Sequence, residues 1–339
     1  MQITSNTTRM LAELSVAADK EGRDYCAVVV KGTFAVDTQG EPALAEEQKP
    51  LVYADVHYGD PGTTSIRCEC DFALFKPRTD VIVNGHAYSP GGEKVDSVEV
   101  ALELEGNGTS LRKSIRVIGD RQWQGGILGL SPSRPVPFDR MPLVYERAFG
   151  GSEHSRKDQK SHGSDLRNPV GVGYWTSSEL NVIKGTPVPN LEHPEHPIRS
   201  WSDKPPPIGL GVIGRGWQPR VKYAGTYDEQ WFNERRPFLP ADFDERYFQS
   251  APEDQQVSHL KGGESVVCRN MTARGDFAFR VPNINFPIKY RFRDRDLDVS
   301  PRLDTLIIEP DDRKFIVCYR AQVESGPKLH QLRSILVGV

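Results

Sequence analysis

The segment from about residue 120 to 260 restricts the possible folds more than any other part of the chain. It holds 16 of the 26 prolines and all five tryptophans: Trp123, Trp175, Trp201, Trp217 and Trp231. Proline interrupts helix interiors and central strands because it has no backbone N–H and a fixed φ. A disordered linker would not carry five tryptophans, whose rings favour burial. The sequence therefore predicts long, ordered loops that are packed by aromatic side chains.

The overall composition narrows the class of protein further. Gly and Pro together contribute 56 of the 339 residues, which argues against a helical bundle or a coiled coil. The 43 basic and 46 acidic residues give a net charge of -3, and nucleic-acid-binding proteins usually show a strongly basic balance. Basic and aromatic residues alternate in residues 289–296, but Asp294, Asp296 and Asp298 offset that charge. This run is more typical of a salt-bridged or protein-binding edge strand, so we expect no nucleic-acid partner.

Apolar residues on both sides of the middle segment follow the pattern of β-strands. Val98, Val100, Leu102 and Leu104 alternate with mostly acidic residues, and the turn sequence Gly-Asn-Gly at 106–108 follows. Predicted strands lie at residues 26–36, 51–58, 65–75, 81–85, 95–104, 111–119, 303–309 and 314–322. Short helices are predicted at residues 228–234 and 242–248.

These patterns predict a mainly β fold of antiparallel, sandwich-like or barrel-like sheets, with long Gly-, Pro- and Trp-rich ordered loops and a few short helices. We expect residues 1–339 to form a single domain. It could divide into a β-rich part at 1–124 and, at 125–339, a part with the loop-rich middle and the last strands.

The N-terminal residues, the apolar runs and the cysteines indicate the cellular compartment of the protein. Residues 1–20 lack the basic and apolar regions of a secretory signal, and the longest apolar runs are too short to span a membrane. Five cysteines form an odd, sparse set that suits a reducing compartment. We therefore expect a cytoplasmic protein without a membrane partner.

Residues 209–214 match the G-x-G-x-x-G pattern of dinucleotide-binding sites. That site requires a strand before the motif and a helix opening from it, so that the helix N-terminus meets the pyrophosphate. Here three prolines, at 205–207, precede the motif, and Gly216 and Pro219 follow it. The interpretation favoured is a glycine-rich loop, with no cofactor.

Two groups of residues resemble metal ligands. Cys68 and Cys70 lack the second cysteine pair that zinc sites usually have, so buried free thiols are expected. His193 and His196 could converge on a metal with Glu192 or Glu195, but Pro194 and Pro197 prevent the helix that would align them. We therefore expect structural loop histidines and no metal.

His154 and His162 fall in a polar segment, 152–164, that is predicted to be an exposed loop.

Carboxylates are frequent in the middle segment, for example Asp242, Asp244, Glu245, Glu253 and Asp254. A glycosidase needs two of them facing each other across a cleft. Acid- and Trp-rich loops on a β scaffold therefore leave open a hydrolase acting on carbohydrate or peptidoglycan. Helix caps and surface positions are the expected roles, and no nucleophile elbow or P-loop occurs in the sequence.

Several segments together resemble one bacterial family, the domain-of-unknown-function 2169 family. They include ECDFALFKPRTDV at 69–81, PLVYERAFGG at 142–151, WQPR at 217–220 and APEDQ at 251–255. Further matching segments lie at 119–123, 168–173, 189–192, 225–228, 231, 239–244 and 262–264. Tyr319-Arg320 stands where the family pattern leads us to expect Trp-Arg.

Genes of that family accompany type VI secretion clusters. The resemblance implies a non-enzymatic adaptor or chaperone that holds a toxic effector in the cytoplasm and helps load it onto spike proteins of the VgrG and PAAR types. A structural component of the secretion apparatus is the further alternative. The family has no catalytic residues to carry over. Candidate partner-binding or loop-organising residues are Trp123, Tyr145, Arg147, Trp217, Arg220, Tyr227 and Trp231, although several of the tryptophans could instead belong to the core.

Overall fold

The structure, a computed structural model, describes residues 2–126, 129–153, 163–176 and 179–338. Strands account for 45% of the chain and helices for 11%. The prediction of a mainly β fold with several antiparallel sheets and only a few short helices is confirmed. His154 and His162, predicted to lie in an exposed loop, fall outside the described residues.

Most strands are short, and the longest ones lie near the two ends of the chain. Within the described residues the strands are β1 Ile3–Asn6, β2 Leu11–Ala18, β3 Asp24–Val36, β4 Pro42–Leu44, β5 Val56–His57, β6 Ile66–Cys68, β7 Thr79–Val83, β8 His86–Tyr88, β9 Ser97–Gly106, β10 Thr109–Ile118, β11 Arg121–Gly126, β12 Gly129–Pro132, β13 Arg140–Pro142, β14 Phe149–Gly150, β15 Ser152–Glu153, β16 Gly163–Ser164, β17 Val172–Gly173, β18 Pro187–Val188, β19 Leu191–Glu192, β20 Gln256–Val257, β21 Ser265–Thr272, β22 Gly275–Arg280, β23 Ile288–Phe292, β24 Asp296–Val299, β25 Arg302–Glu309, β26 Lys314–Glu324 and β27 Leu332–Val337. The α-helices are α1 Leu180–Ile183 and α2 Glu229–Glu234. Turns of 3-10 helix lie at Pro90–Gly92, Tyr145–Arg147, Arg220–Ala224, Glu245–Phe248, Glu253–Gln255, Pro310–Asp312 and Gly326–Gln331.

The largest sheet has seven strands in the order β2-β3-β26-β25-β7-β20, with β4 attached to β3. Strand β3, which pairs with β2 on one side and β26 on the other, is buried from Cys26 to Phe34, which explains its nearly continuous apolar sequence. β3 pairs antiparallel with β26 from Tyr25 opposite Glu324 to Ala35 opposite Lys314. β25 and β7 run parallel.

A five-stranded antiparallel sheet follows the order β19-β10-β9-β21-β22. Its β9–β10 hairpin closes at Asn107 and Gly108, whose φ angles of 51° and 77° are typical of a type I′ turn. Along β9 the apolar positions are buried and the intervening glutamates face outward, as the alternation predicts, while Ala101 is buried as well. A third sheet of four strands has the order β1-β27-β23-β24.

These three sheets share one hydrophobic core. Val30 of β3, Leu102 of β9 and Ile335 of β27 belong to the same buried cluster. Strands from the beginning and the end of the sequence therefore enclose common apolar side chains. The proposed division into parts at 1–124 and 125–339 stays a prediction. No helix in the described ranges is both long and apolar enough to cross a bilayer.

Three predicted elements are shorter than the sequence indicated. Residues 51–58 and 65–75 hold only the two- and three-residue strands β5 and β6. The reason is visible at Asp71, whose carboxylate binds the Lys31 ammonium and the Val52 backbone N–H, so side chains replace a strand ladder there. The helix predicted at 242–248 is a single 3-10 turn, Glu245–Phe248, capped by Asp244.

Candidate functional site

The loop-rich middle segment lines most of a partly open cavity of about 390 Å³. Such a volume lies within the range of ligand pockets, roughly 300–1,000 Å³. Tyr145, Ile208, Ile213 and Pro219 give it largely apolar walls, and Lys113 contributes one of its polar groups. Segments that resemble the family at 142–151, 217–220 and 251–255 all contribute to these walls.

Two glycines of the 209–214 motif make room for aromatic rings, one of which, Tyr145, lines this cavity. A Cβ on Gly209 would lie 2.7 Å from the Tyr145 ring, and one on Gly214 would lie 2.9 Å from Trp217 Nε1. The two rings meet edge to face, 5.5 Å between centroids. Residues 209–214 lie outside any helix or strand, so the flanking elements that a dinucleotide site requires are not formed there.

Tyr145 is only 3% exposed and lines the cavity. Burial raises the pKa of its phenol above the ordinary value, and the charge of Asp254 adds to the effect. Within the described part of the chain the structure shows no hydrogen bond to the Tyr145 hydroxyl, whereas its backbone carbonyl accepts one from Asn168 Nδ2 at 2.9 Å.

Lys113 brings a positive charge to the cavity wall. Burial lowers the pKa of its ammonium group, and the nearby Asp254 opposes that effect. Lys113 Nζ donates to Asp254 Oδ1 and to Gln255 Oε1, both at 2.9 Å. The positive charge of Lys113 is therefore largely balanced by Asp254 within the wall. Apolar contacts are then the main interaction between the cavity and a bound molecule.

Arg220 and Arg147 both make contacts that join loop residues. Arg220 is buried; it pairs with Glu69 and donates to the carbonyl oxygens of Ile213 and Tyr247. Arg147 is partly exposed and binds Asp120 Oδ1 at 3.0 Å.

Trp123 is part of the interior. It is 1% exposed and packs in a cluster with Phe149, Ile183, Val188 and Ile198. Trp175 and Trp201 are partly buried against the same cluster, and Trp217 packs against the main core. Four of the five tryptophans thus pack the loop segment internally, as the sequence predicts.

Tyr227 and Trp231 lie together on the outside, in an aromatic ridge that we define as Tyr227, Trp231, Phe232 and Phe238. Tyr227, Phe232 and Phe238 are 54%, 55% and 47% exposed. The Tyr227 and Trp231 rings meet edge to face at 4.6 Å. Phe232 and Phe238 were not among the sequence candidates. The sequence signal that could have indicated them is their position: Phe232 follows Trp231 in a short helix that is otherwise polar, and Phe238 lies in the turn after that helix.

The ridge is held by local contacts. Asp228 caps helix α2 by accepting from the Trp231 backbone N–H at 2.8 Å, and Trp231 Nε1 donates to the Phe238 carbonyl oxygen at 2.8 Å. Helix α2 has no buried residue. The Arg236 guanidinium lies 5.0 Å from the centroid of the Phe232 ring. The seven sequence candidates therefore divide between the loop interior and this outer ridge.

Four of the five loop carboxylates are engaged in contacts within the molecule. Their partners are Thr226 for Asp242, Arg246 for Asp244, Tyr223 for Glu253 and Lys113 for Asp254. Burial raises the pKa of the Glu245 carboxyl.

The turn at 193–196 brings potential metal ligands together. One ligand atom from each of His193, Glu195 and His196 lies within 4.8 Å of the others. The prolines prevent a helix here, as expected, but the tight turn that replaces it makes the two histidines converge. Glu192, the alternative acid, is 3% exposed and pairs with Arg121 at 2.6 Å.

Fold and site together define a mainly β protein whose long loops build a cavity and an exposed aromatic surface. The model of a bacterial family described as "Uncharacterized protein conserved in bacteria (DUF2169)" matches residues 21–320, and the chain belongs to this family. No curated protein and no solved structure matches the chain.

Proposed function

We propose that the protein is a cytoplasmic adaptor that binds a type VI secretion effector and helps load it onto spike proteins of the VgrG and PAAR types. The observation that carries the proposal is the aromatic ridge, on which three large aromatic side chains are about half exposed. Exposed apolar groups of this kind, placed beside charged residues, are typical of protein-binding surfaces. The family resemblance supplies the secretion context.

The chemistry of the ridge suits a protein partner. Interface hot spots are enriched in Tyr, Trp and Arg, and the ridge combines Tyr227 and Trp231 with the neighbouring Arg236. The Asp228 cap and the Trp231 Nε1 bond restrict the ring positions before binding. Less conformational entropy is then lost when a partner is bound.

The cavity offers a second point of attachment. Its apolar walls and the Tyr145 hydroxyl would accept an apolar side chain that carries a hydrogen-bonding group. The partners of Asp242, Asp244, Glu253 and Asp254 fit structural roles for these four acids, which favours an adaptor over the hydrolase alternative.

Co-purification tests the proposal. The effector and spike proteins encoded beside this gene should be retained by the tagged wild-type protein, and deletion of the gene should stop export of the effector. Phe232→Ser should weaken effector binding by at least about 2 kcal/mol, roughly thirty-fold in Kd, if the ridge is a hot spot.

The matched control is Val136→Ser, which removes an apolar side chain that is 62% exposed outside the ridge. It should bind like the wild type. If no neighbouring effector or spike protein co-purifies and export survives the deletion, the adaptor proposal fails. If the effector binds Phe232→Ser as tightly as the wild type, the ridge is not the binding face.

A further inference from the structure

We infer that the turn from His193 to His196 is a Zn²⁺ site with His193, Glu195 and His196 as its protein ligands. This inference does not depend on the adaptor proposal. It follows from three ligand atoms that lie within 4.8 Å of one another at the edge of the cavity.

The donor set suits zinc. Imidazole nitrogen and carboxylate oxygen both bind Zn²⁺ at about 2.0–2.2 Å, and two histidines with one glutamate is a known combination for zinc sites that keep an open position. Tetrahedral bonds of that length place ligand atoms about 3.3 Å apart. Glu195 and His196 are exposed and His193 is half-buried, so rotation of side chains can close the remaining distance.

The backbone of the turn is fixed from both sides. His196 N donates to the His193 carbonyl oxygen at 2.9 Å, which closes the turn, and Pro194 and Pro197 restrict φ next to each histidine. The Glu192 carboxylate, which pairs with Arg121, also accepts from Ile198 N at 3.3 Å. One buried acid thus holds the residues that enter and leave the turn, so little backbone entropy is lost when the ligands converge.

The Nδ1 atom of His193 already faces the Glu195 residue of the turn. His193 Nδ1 accepts a hydrogen bond from Glu195 N at 3.1 Å. A neutral imidazole that accepts at Nδ1 carries its proton on Nε2. The Nδ1 lone pair is therefore in the form that coordinates a metal, and Zn²⁺ would replace the Glu195 N–H as its partner.

Three protein ligands leave at least one coordination position for water or for a side chain of a bound molecule. His193 also lines the cavity. A metal in the turn would therefore add a positively charged Lewis acid to the rim of an otherwise apolar pocket.

Isothermal titration of the tag-free, full-length protein with ZnCl₂ tests the inference, because a polyhistidine tag would bind zinc itself. We expect saturable binding of one Zn²⁺ per chain. His196→Ala should weaken it by more than the roughly 10–100-fold that loss of a second-shell partner costs, since it removes a direct ligand. His330→Ala, which removes an exposed histidine elsewhere, is the matched control and should bind like the wild type.

Co²⁺ gives a second measurement. Its absorption spectrum should show the visible d–d bands of tetrahedral or five-coordinate Co²⁺ and lack the near-ultraviolet charge-transfer band that thiolate ligation by Cys68 or Cys70 would produce. Thermal unfolding checks that each variant is folded. Absence of saturable binding, a thiolate band, or binding that His196→Ala leaves unchanged would each overturn the inference.

Discussion

The β scaffold and the middle loop segment are stabilised by different means. In strand β3, nine consecutive residues from Cys26 to Phe34 are buried, and most of them are apolar. In the middle segment, buried charged residues such as Arg220 hold the loops through ion pairs and bonds to backbone carbonyls. A regular ladder satisfies its own backbone, whereas irregular loops need side chains to do so. Apolar packing therefore dominates one region, and specific polar contacts dominate the other.

Asp80 joins the two regions. It lies in strand β7 and is fully buried. Its carboxylate binds Lys76 Nζ at 2.7 Å and accepts hydrogen bonds from the loop residues Gln249, Ser250 and Ala251. The comparison thus leads to three predictions, which concern first this junction, then the packing of the loop segment and then the surface.

The largest effect is expected for Asp80→Asn. The substitution leaves the Lys76 ammonium buried without its counter-charge, which typically costs about 3–5 kcal/mol. Urea unfolding at pH 7 measures the change. Asp244→Asn, which removes one partner of an exposed ion pair, should cost less than about 1 kcal/mol. If both variants lose the same free energy of unfolding, burial does not make the Asp80 ion pair more important for stability than the exposed one.

The pH dependence of Asp80 sharpens this prediction. Burial raises the pKa of its carboxyl, but the Lys76 ammonium and backbone N–H groups prevail and hold the pKa below its ordinary value. A carboxyl whose pKa is lower in the folded state than in the unfolded state stabilises the fold. This stabilisation is fully present above the unfolded-state pKa, about 3.9, and is lost as the pH falls through the pKa of the folded state. The difference between wild type and Asp80→Asn should therefore persist from pH 7 to 5 and shrink below about pH 4.

An intermediate effect is expected for Gly209→Ala. The added Cβ would lie 2.7 Å from the Tyr145 ring, and overpacking of this kind costs about 1–3 kcal/mol. In Gly216→Ala, in the same loop, the added Cβ meets no atom of the described residues within 4 Å, so this variant should be neutral or stabilising by roughly 0.4–1 kcal/mol. Thermal unfolding of both variants measures this; two neutral results would mean that the motif glycines are not required for packing.

The smallest effect on stability is expected for Phe232→Ser. Its ring is 55% exposed, so the free energy of unfolding should change by no more than about 0.5 kcal/mol. Chemical denaturation of the isolated protein gives the value. If the free energy of unfolding falls by more than about 1 kcal/mol, the aromatic ridge packs against the rest of the molecule and is not a free surface for a partner.

The sequence predicts the scaffold better than the loops, and the reason is physical. The alternation along strand β9 and the Asn-Gly turn after it are local signals, and the structure confirms both. The pair of Glu69 and Arg220 joins residues 151 positions apart, and no local pattern indicates such a contact. Proline spacing likewise excludes a helix at His193 but does not show that the turn formed instead brings the histidines together.

The pairing of β3 with β26 also bears on how the chain is made. The partner strand begins at residue 314, so β3 leaves the ribosome long before β26 exists. At about 5–20 residues per second, the delay is on the order of tens of seconds. During that time a long apolar strand has an open edge, which favours aggregation. Production of the protein should therefore depend on chaperones that bind the nascent chain. This dependence should be stronger than the stability of the folded protein alone would indicate.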